Sequence, residues 1–265
     1  MTVLHPQDLT DLSKALAERV CDSKFILDED KASGAEQLIS LTQIPELKCI
    51  RKHCCSLSVG VMCSHDQAAA MPLVNLNFPS LQVACEKAHE SAATRSTIGG
   101  SVCNAALNEY LYPVLLSADA RAAVMDDKRQ LDKVHVEKVM DAEGKLTLQP
   151  NQVITDFVLP IPLLPLETHT AFVVLPEDKL ILAPFVRLEE EDISHARFVI
   201  GGITPRAYRS EKAEEYLLGK LPEDLDAGAL AQIACDEVAA HGAAIAAEDI
   251  RALVDEALEQ MAFYL

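Results

Sequence analysis

Between Thr94 and Ala120 the chain concentrates residue types able to hold an anion: Thr94, Ser96 and Thr97, then Ile98, the pair Gly99 and Gly100, Ser101 and Asn104. Glycine has no Cβ, so a glycine pair lets a bulky group approach the backbone and can leave successive N–H groups directed at it. The flanking hydroxyls add donors. The chemistry expected of this turn is the cradling of a diphosphate, with Glu109 a nearby acid and Pro113 inside an apolar stretch that ends at Asp119 and Ala120. Gly99 and Gly100 also read as a plain tight-turn pair.

Little else in the sequence points to catalysis by side chains. There is no nucleophile elbow, zinc-protease helix or phosphate-binding P-loop, and the glycine pairs are too short for a G-x-G-x-x-G fingerprint. Cysteines stand at positions 21, 49, 54, 55, 63, 85, 103 and 235. The one dense group is Cys49, His53, Cys54, Cys55, Cys63 and His65, of which zinc would need four to converge as a tetrahedron. Paired Cys-x-x-Cys knuckles are lacking and the spacing is not that of an iron–sulfur ligand set. The expectation is reduced thiols and no metal.

The elements that must position the glycine turn follow from hydrophobic periodicity. Leu9, Leu12, Leu16 and Val20 recur at helical spacing behind Asp8, which predicts a first helix from Asp8 to Cys21. Leu38 to Leu41 reads as a short strand, and Leu57, Val59 and Val61 alternate with Ser58 and Gly60 as a half-buried one. Leu81, Ala84, Cys85 and Ala88 share a helical face in Ser80 to Ala93, the helix that delivers the chain into the turn. Tyr110 to Val124 reads as a buried helix leading into a strand, with Asp126 and Asp127 as the following turn, and Val153 to Leu159 as a further strand. Prolines 160, 162 and 165 then mark a linker.

Beyond the linker, Thr168 to Val174, Leu180 to Leu188 and Arg197 to Ile203 read as strands, the middle one irregular or at an edge because of Pro184. Ile250, Leu253, Val254, Ala257, Leu258 and Met261 give the last helix a continuous apolar face, expected to lie against this sheet. The fold class is therefore α+β. The division expected is 1–160, with a small lobe to about residue 48 and a larger one from 49, and 161–265, a smaller α+β unit of three strands with helices.

Three stretches carry a family resemblance. The run from Thr94 to Ala120 resembles the second flavin motif of the FAD-binding subunit of molybdenum hydroxylases, the medium chain of the xanthine dehydrogenase and carbon monoxide dehydrogenase group. Ile44, Pro45, Glu46 and Leu47, followed by Leu57 to Val61, are similar to that family's turn and strand. Ala196 to Arg209, continuing through Ala213, Glu214 and Glu215 to Lys220, resembles the strand, glycine turn and helix that open its C-terminal domain. The resemblance covers most of the chain from about Gln43 onward.

It implies a two-lobed FAD-binding domain followed by a C-terminal flavoprotein domain, and FAD as cofactor. Thr97, Ile98, Gly99, Gly100, Ser101 and Asn104 would hold its diphosphate and ribityl part. Glu109 would stand in for a family aspartate by a one-residue shift, and Val153 and Ile154 would line the isoalloxazine, though they read equally as core. The implied partners are an iron–sulfur subunit and a molybdopterin-binding large subunit, with a dimer of such heterotrimers as the larger assembly. In that role the flavin takes electrons from iron–sulfur clusters and passes them to NAD or another acceptor.

The sequence departs from the family at its first flavin loop. Where members carry alanine, two glycines, threonine and aspartate, this chain has Leu27, Asp28, Glu29, Asp30 and Lys31. Adjacent carboxylates oppose a diphosphate, at a cost on the order of 1–4 kcal/mol per close pair. Ser101, Tyr110 and Val173 replace an asparagine, an aspartate and a basic residue of the family pattern. Two readings therefore stand: an FAD-binding electron-transfer subunit, or a flavin-free paralogue that serves in assembly or structure.

Composition bounds both. With 265 residues, 49% of them apolar, the chain can bury one large core or two ordinary ones. Its 23 basic and 41 acidic residues give a net charge of −18, a poor match to nucleic acid. The longest apolar run, Val153 to Leu166, contains Asp156 and three prolines and falls short of a membrane span. Residues 1–8 have neither a basic head nor an apolar signal core, so the expected location is the cytoplasm.

Overall fold

The computed structural model describes residues 2–18, 24–26, 37–91, 97–103, 110–162, 167–175 and 180–261. The α+β class is borne out. The chain opens with a small parallel sheet made of β1 (Thr2–Leu4), β2 (Lys24–Ile26) and β3 (Gln37–Ser40), in the order β1-β3-β2. Helix α1 (Leu9–Ala17) lies between β1 and β2 in sequence; Asp8 caps it by accepting from Thr10 N at 2.7 Å and Asp11 N at 2.8 Å. Leu12 and Leu16 bury its apolar face.

A 3-10 turn, Pro45–Lys48, leads to the hairpin of β4 (Ile50–His53) and β5 (Ser56–Gly60). Five helices follow: α2 (His65–Ala69), α3 (Pro72–Asn77), α4 (Pro79–Ser91), α5 (Ile98–Cys103) and α6 (Leu111–Ser117). Strands β6 (Arg121–Asp126), β7 (Leu131–His135) and β8 (Gln152–Pro160) complete an antiparallel sheet of order β4-β5-β8-β6-β7. All seven residues of α6 are buried. A helix apolar on every side must be covered on every side, and α6 is: it packs with α4 and α5 and also against the C-terminal sheet.

That sheet comprises β9 (Thr168–Thr170), β10 (Val173–Leu175), β11 (Leu180–Glu189), β12 (Asp192–Gly201) and β13 (Tyr208–Arg209). It has five strands where the sequence predicts three, and the extra break has a simple cause. β9 and β10 pair with β11 in one unbroken register, Thr170 opposite Phe185 and Val173 opposite Leu182. Pro184 sits opposite Ala171; it accepts from Ala171 N at 3.2 Å but has no N–H to return, so the ladder lapses for two residues. β11 is nevertheless central, not an edge. The β11–β12 hairpin turns at Glu190 and Glu191, both left-handed (φ 52° and 76°). The acidic run from Glu189 to Asp192 is thus a hairpin tip.

Helices α7 (Glu211–Leu217), α8 (Ala227–Ala240) and α9 (Ala247–Met261) cover one face of this sheet. The apolar stripe of α9 docks as expected, with Ile250, Leu253, Val254, Ala257 and Met261 buried in the same core as Val173 and Leu180. The opposite face contributes Phe172, Ile181, Ala183 and Val199 to the core built around α6. No described helix is long and apolar enough to cross a membrane.

Candidate functional site

The glycine pair is built into the start of α5, which docks on the end of β5. Ile98 N donates to Cys63 O at 2.9 Å and Gly99 N to Val61 O at 2.8 Å. Gly100 N donates to Thr97 Oγ1 at 3.1 Å and Ser101 N to Thr97 O at 2.9 Å. The expectation that these amides stand open for a diphosphate is overturned. A helix start has amides without intrahelical acceptors; here Thr97 supplies the N-cap and the strand end supplies two carbonyls.

Gly99 is required by that docking. A Cβ on it would stand 2.7 Å from Val61 Cβ and 3.0 Å from Val61 O. The missing side chain serves the close approach of helix to strand. What residues 97–101 retain for an anion is the Thr97 hydroxyl, which accepts from Gly100 and keeps its own hydrogen to donate. That donor suits an anionic ligand of FAD's kind as a contact point, not as an amide nest.

Ser101 is also engaged. Its Oγ lies 2.8 Å from His65 Nε2, and His65, at the start of α2, is 2% exposed. Ser64 beside it bridges to Thr97. By spacing His65 groups with the cysteines; the structure makes it a clip that fastens α5 to α2. The signal was absent locally because the two partners are 36 residues apart. Burial holds the His65 pKa below its ordinary 6.5, partly offset by a hydrogen bond to the Thr97 backbone.

The sign of the pH effect follows. As pH falls below about 6.5, the unfolded chain takes up a proton that folded His65 resists, so stability falls until the lower native pKa is passed. His195, lowered by burial and then by Arg197 and Arg187, adds a slope of the same sign. Urea midpoints measured at pH 7.5 and 5.5 should therefore drop on acidification. His65→Gln should remove part of that drop, and an unchanged slope would refute the assignment.

The remaining predicted residues divide. Val153 and Ile154 are 4% and 3% exposed, in the main core on β8, paired across to Met125 and Val124 of β6. Asn104 and Glu109 lie outside the described residues, as do Asp28, Glu29 and Asp30. The cysteine and histidine group does not converge. Cys54 and Cys55 are exposed at the hairpin tip, whereas Cys63 is buried, its thiol pushed up to about 11 by desolvation. Among the described residues no three His, Cys, Asp or Glu side chains are grouped to hold a metal ion.

Comparison with known proteins gives consistent matches. A family model described as FAD binding domain in molybdopterin dehydrogenase matches residues 3–162. The 6-hydroxypseudooxynicotine dehydrogenase complex subunit alpha of Paenarthrobacter nicotinovorans is 27% identical over 240 residues, covering 86% of this chain and 80% of its own length. The carbon monoxide dehydrogenase medium chain of Hydrogenophaga pseudoflava is 26% identical over 212 residues, covering 77% and 73%. A solved carbon monoxide dehydrogenase from the same organism superposes with a TM-score of 0.81 at 19% identity, covering 98% of this chain and 96% of that one.

Proposed function

Because the chain belongs to the family of FAD binding domains in molybdopterin dehydrogenases, we propose that it is the flavin-carrying, electron-transferring subunit of a molybdenum hydroxylase-like oxidoreductase. The observation that carries this reading is the family match over residues 3–162, which includes both segments where flavin loops are expected. FAD is the cofactor. Bound FAD supplies a redox group able to accept electrons from iron–sulfur clusters and to pass a hydride to NAD or another acceptor.

The chain's own residues bind and seal. The Thr97 hydroxyl donates to the diphosphate, with Asn104 as a further polar contact and Glu109 standing in for the family's aspartate. Val153 and Ile154 belong to the apolar wall that keeps water from the ring. His65 and Gly99 do not touch the ligand; they hold α5 in place through Ser101 and Val61. The partners proposed are an iron–sulfur subunit and a molybdopterin-binding large subunit, assembled as a dimer of heterotrimers. The relatives' descriptions as a complex subunit and a medium chain support such an assembly.

A second reading, a flavin-free paralogue serving in assembly, is favoured by one observation: the amides of residues 98–101 are all taken by the protein itself. Titrating the purified chain with FAD separates the two. The flavin reading expects saturable, stoichiometric binding; no binding at any tested concentration overturns it. The double variant Asp28→Gly/Glu29→Gly should tighten FAD binding by about tenfold or more, since each relieved charge pair is worth on the order of 1–4 kcal/mol. An unchanged dissociation constant would show that the acids do not oppose the diphosphate.

A further inference from the structure

The β4–β5 hairpin closes through the pair His53 and Ser56, leaving Cys54 and Cys55 as its two turn residues. Both are exposed, and their sulfurs lie 3.5 Å apart. The tip is anchored: Cys55 O accepts from Ile161 N at 3.0 Å, and Ser56 pairs with Pro160 of β8. The two thiols are therefore presented together on a fixed turn beside the connection into the C-terminal sheet.

Two chemistries are open to neighbouring thiols, and geometry separates them. A disulfide needs sulfurs about 2.05 Å apart on Cα atoms roughly 4.4–6.8 Å apart. Adjacent residues have Cα atoms only about 3.8 Å apart, so a bond between Cys54 and Cys55 is strained and readily reduced. A shared soft centre fits better. Sulfurs 3.5 Å apart, each ~2.3 Å from one centre as in zinc thiolates, subtend roughly 100° there, which suits a pyramidal three-coordinate atom. Soft thiolates select such thiophilic centres.

We infer that Cys54 and Cys55 form a two-thiol clamp for a soft, thiophilic centre of the trivalent arsenic type. With an organoarsenic oxide the reaction balances without any oxidant. Both S–H bonds and the As=O bond break, two As–S bonds form, and the oxygen leaves as water with the two thiol protons. The oxidation states of arsenic and sulfur do not change. Other described cysteines are poor competitors. Cys63 and Cys85 are buried and Cys49, Cys103 and Cys235 only half-exposed, Cys49 with its thiol hydrogen donated to Pro45 O.

The test uses the full chain, reduced, with phenylarsine oxide, read by intact mass. Wild type should retain one phenylarsenic unit, less two hydrogens, against an excess of a monothiol, and release it to ethanedithiol. Cys54→Ser and Cys55→Ser should each lower retention at least tenfold, with the melting temperature of the protein unchanged. Loss of the probe from wild type to the monothiol overturns the inference, as does full retention by either variant. Cys54→Ala, which removes the thiol with a different side chain, repeats the test where serine perturbs the turn. None of these readouts depends on whether flavin is bound.

Discussion

Gly60→Ala is expected to cost at least about 3 kcal/mol, the upper end of overpacking effects, and to leave little native protein. A Cβ there would lie 2.2 Å from Leu47 O, 2.6 Å from Leu47 C and 3.2 Å from Cys49 O. These are backbone atoms of the 3-10 turn and its exit, so no side chain can swing aside. The turn is held where it is by Gly60 N donating to Cys49 O at 3.0 Å and Met62 N to Leu47 O at 2.9 Å. Relieving the clash means giving up both bonds. Moving the turn also disturbs Val61, on which Gly99 docks. Urea unfolding of the variant should show a large fall in midpoint; a midpoint within error of wild type would mean that the turn is free to shift.

The second large effect is expected at Glu214, a buried carboxylate 6% exposed on α7. It accepts from Phe198 N at 3.2 Å and from Arg209 Nε at 2.9 Å, and it closes an ion pair with the second guanidinium nitrogen, Arg209 Nη2. Alanine leaves the Arg209 charge without its partner and Phe198 N–H without an acceptor, inside the packing of α7 against β12. Removing one side of a fully buried pair costs about 3–5 kcal/mol; Arg209 is only half-buried, so a cost of about 3 kcal/mol is expected, the orphaned amide included. Glu214→Gln keeps an acceptor for Phe198 and should lose less. Thermal unfolding of the two variants checks this, and equal stability of Glu214→Ala and wild type would refute it.

Much of the fold was legible because it rests on local pattern. The stripe of Leu9, Leu12 and Leu16, the alternation at Leu57 and Val59, and the apolar face of α9 each announce an element by its own period. Pro184 announced an irregularity, although its effect falls on the neighbouring strand. What stayed hidden depends on partners distant in sequence. Gly99 and Gly100 look like an open turn until Val61 O and Cys63 O, just past the end of β5, take the amides of Gly99 and Ile98 and Thr97 Oγ1 takes that of Gly100. His65 belongs with nearby cysteines by spacing, yet its partner Ser101 is 36 residues on. Strand β1 has only three residues, too few for any period to show. The family resemblance reached past these limits for the fold; the open amides expected of a glycine pair are engaged in the structure.

The shared position of α6 has a consequence for how the molecule holds together. Pro113 lies where a Cβ on Gly201 would come within 2.9 Å of it. Asp119, just after the helix, accepts from Arg197 at 2.8 Å. Arg206 reaches back to Glu137 O at 3.0 Å and Met140 O at 2.8 Å. A fragment cut at the proline linker would therefore expose one wall of a helix that has no polar wall to offer water. Each half is expected to be less stable alone than joined to the other.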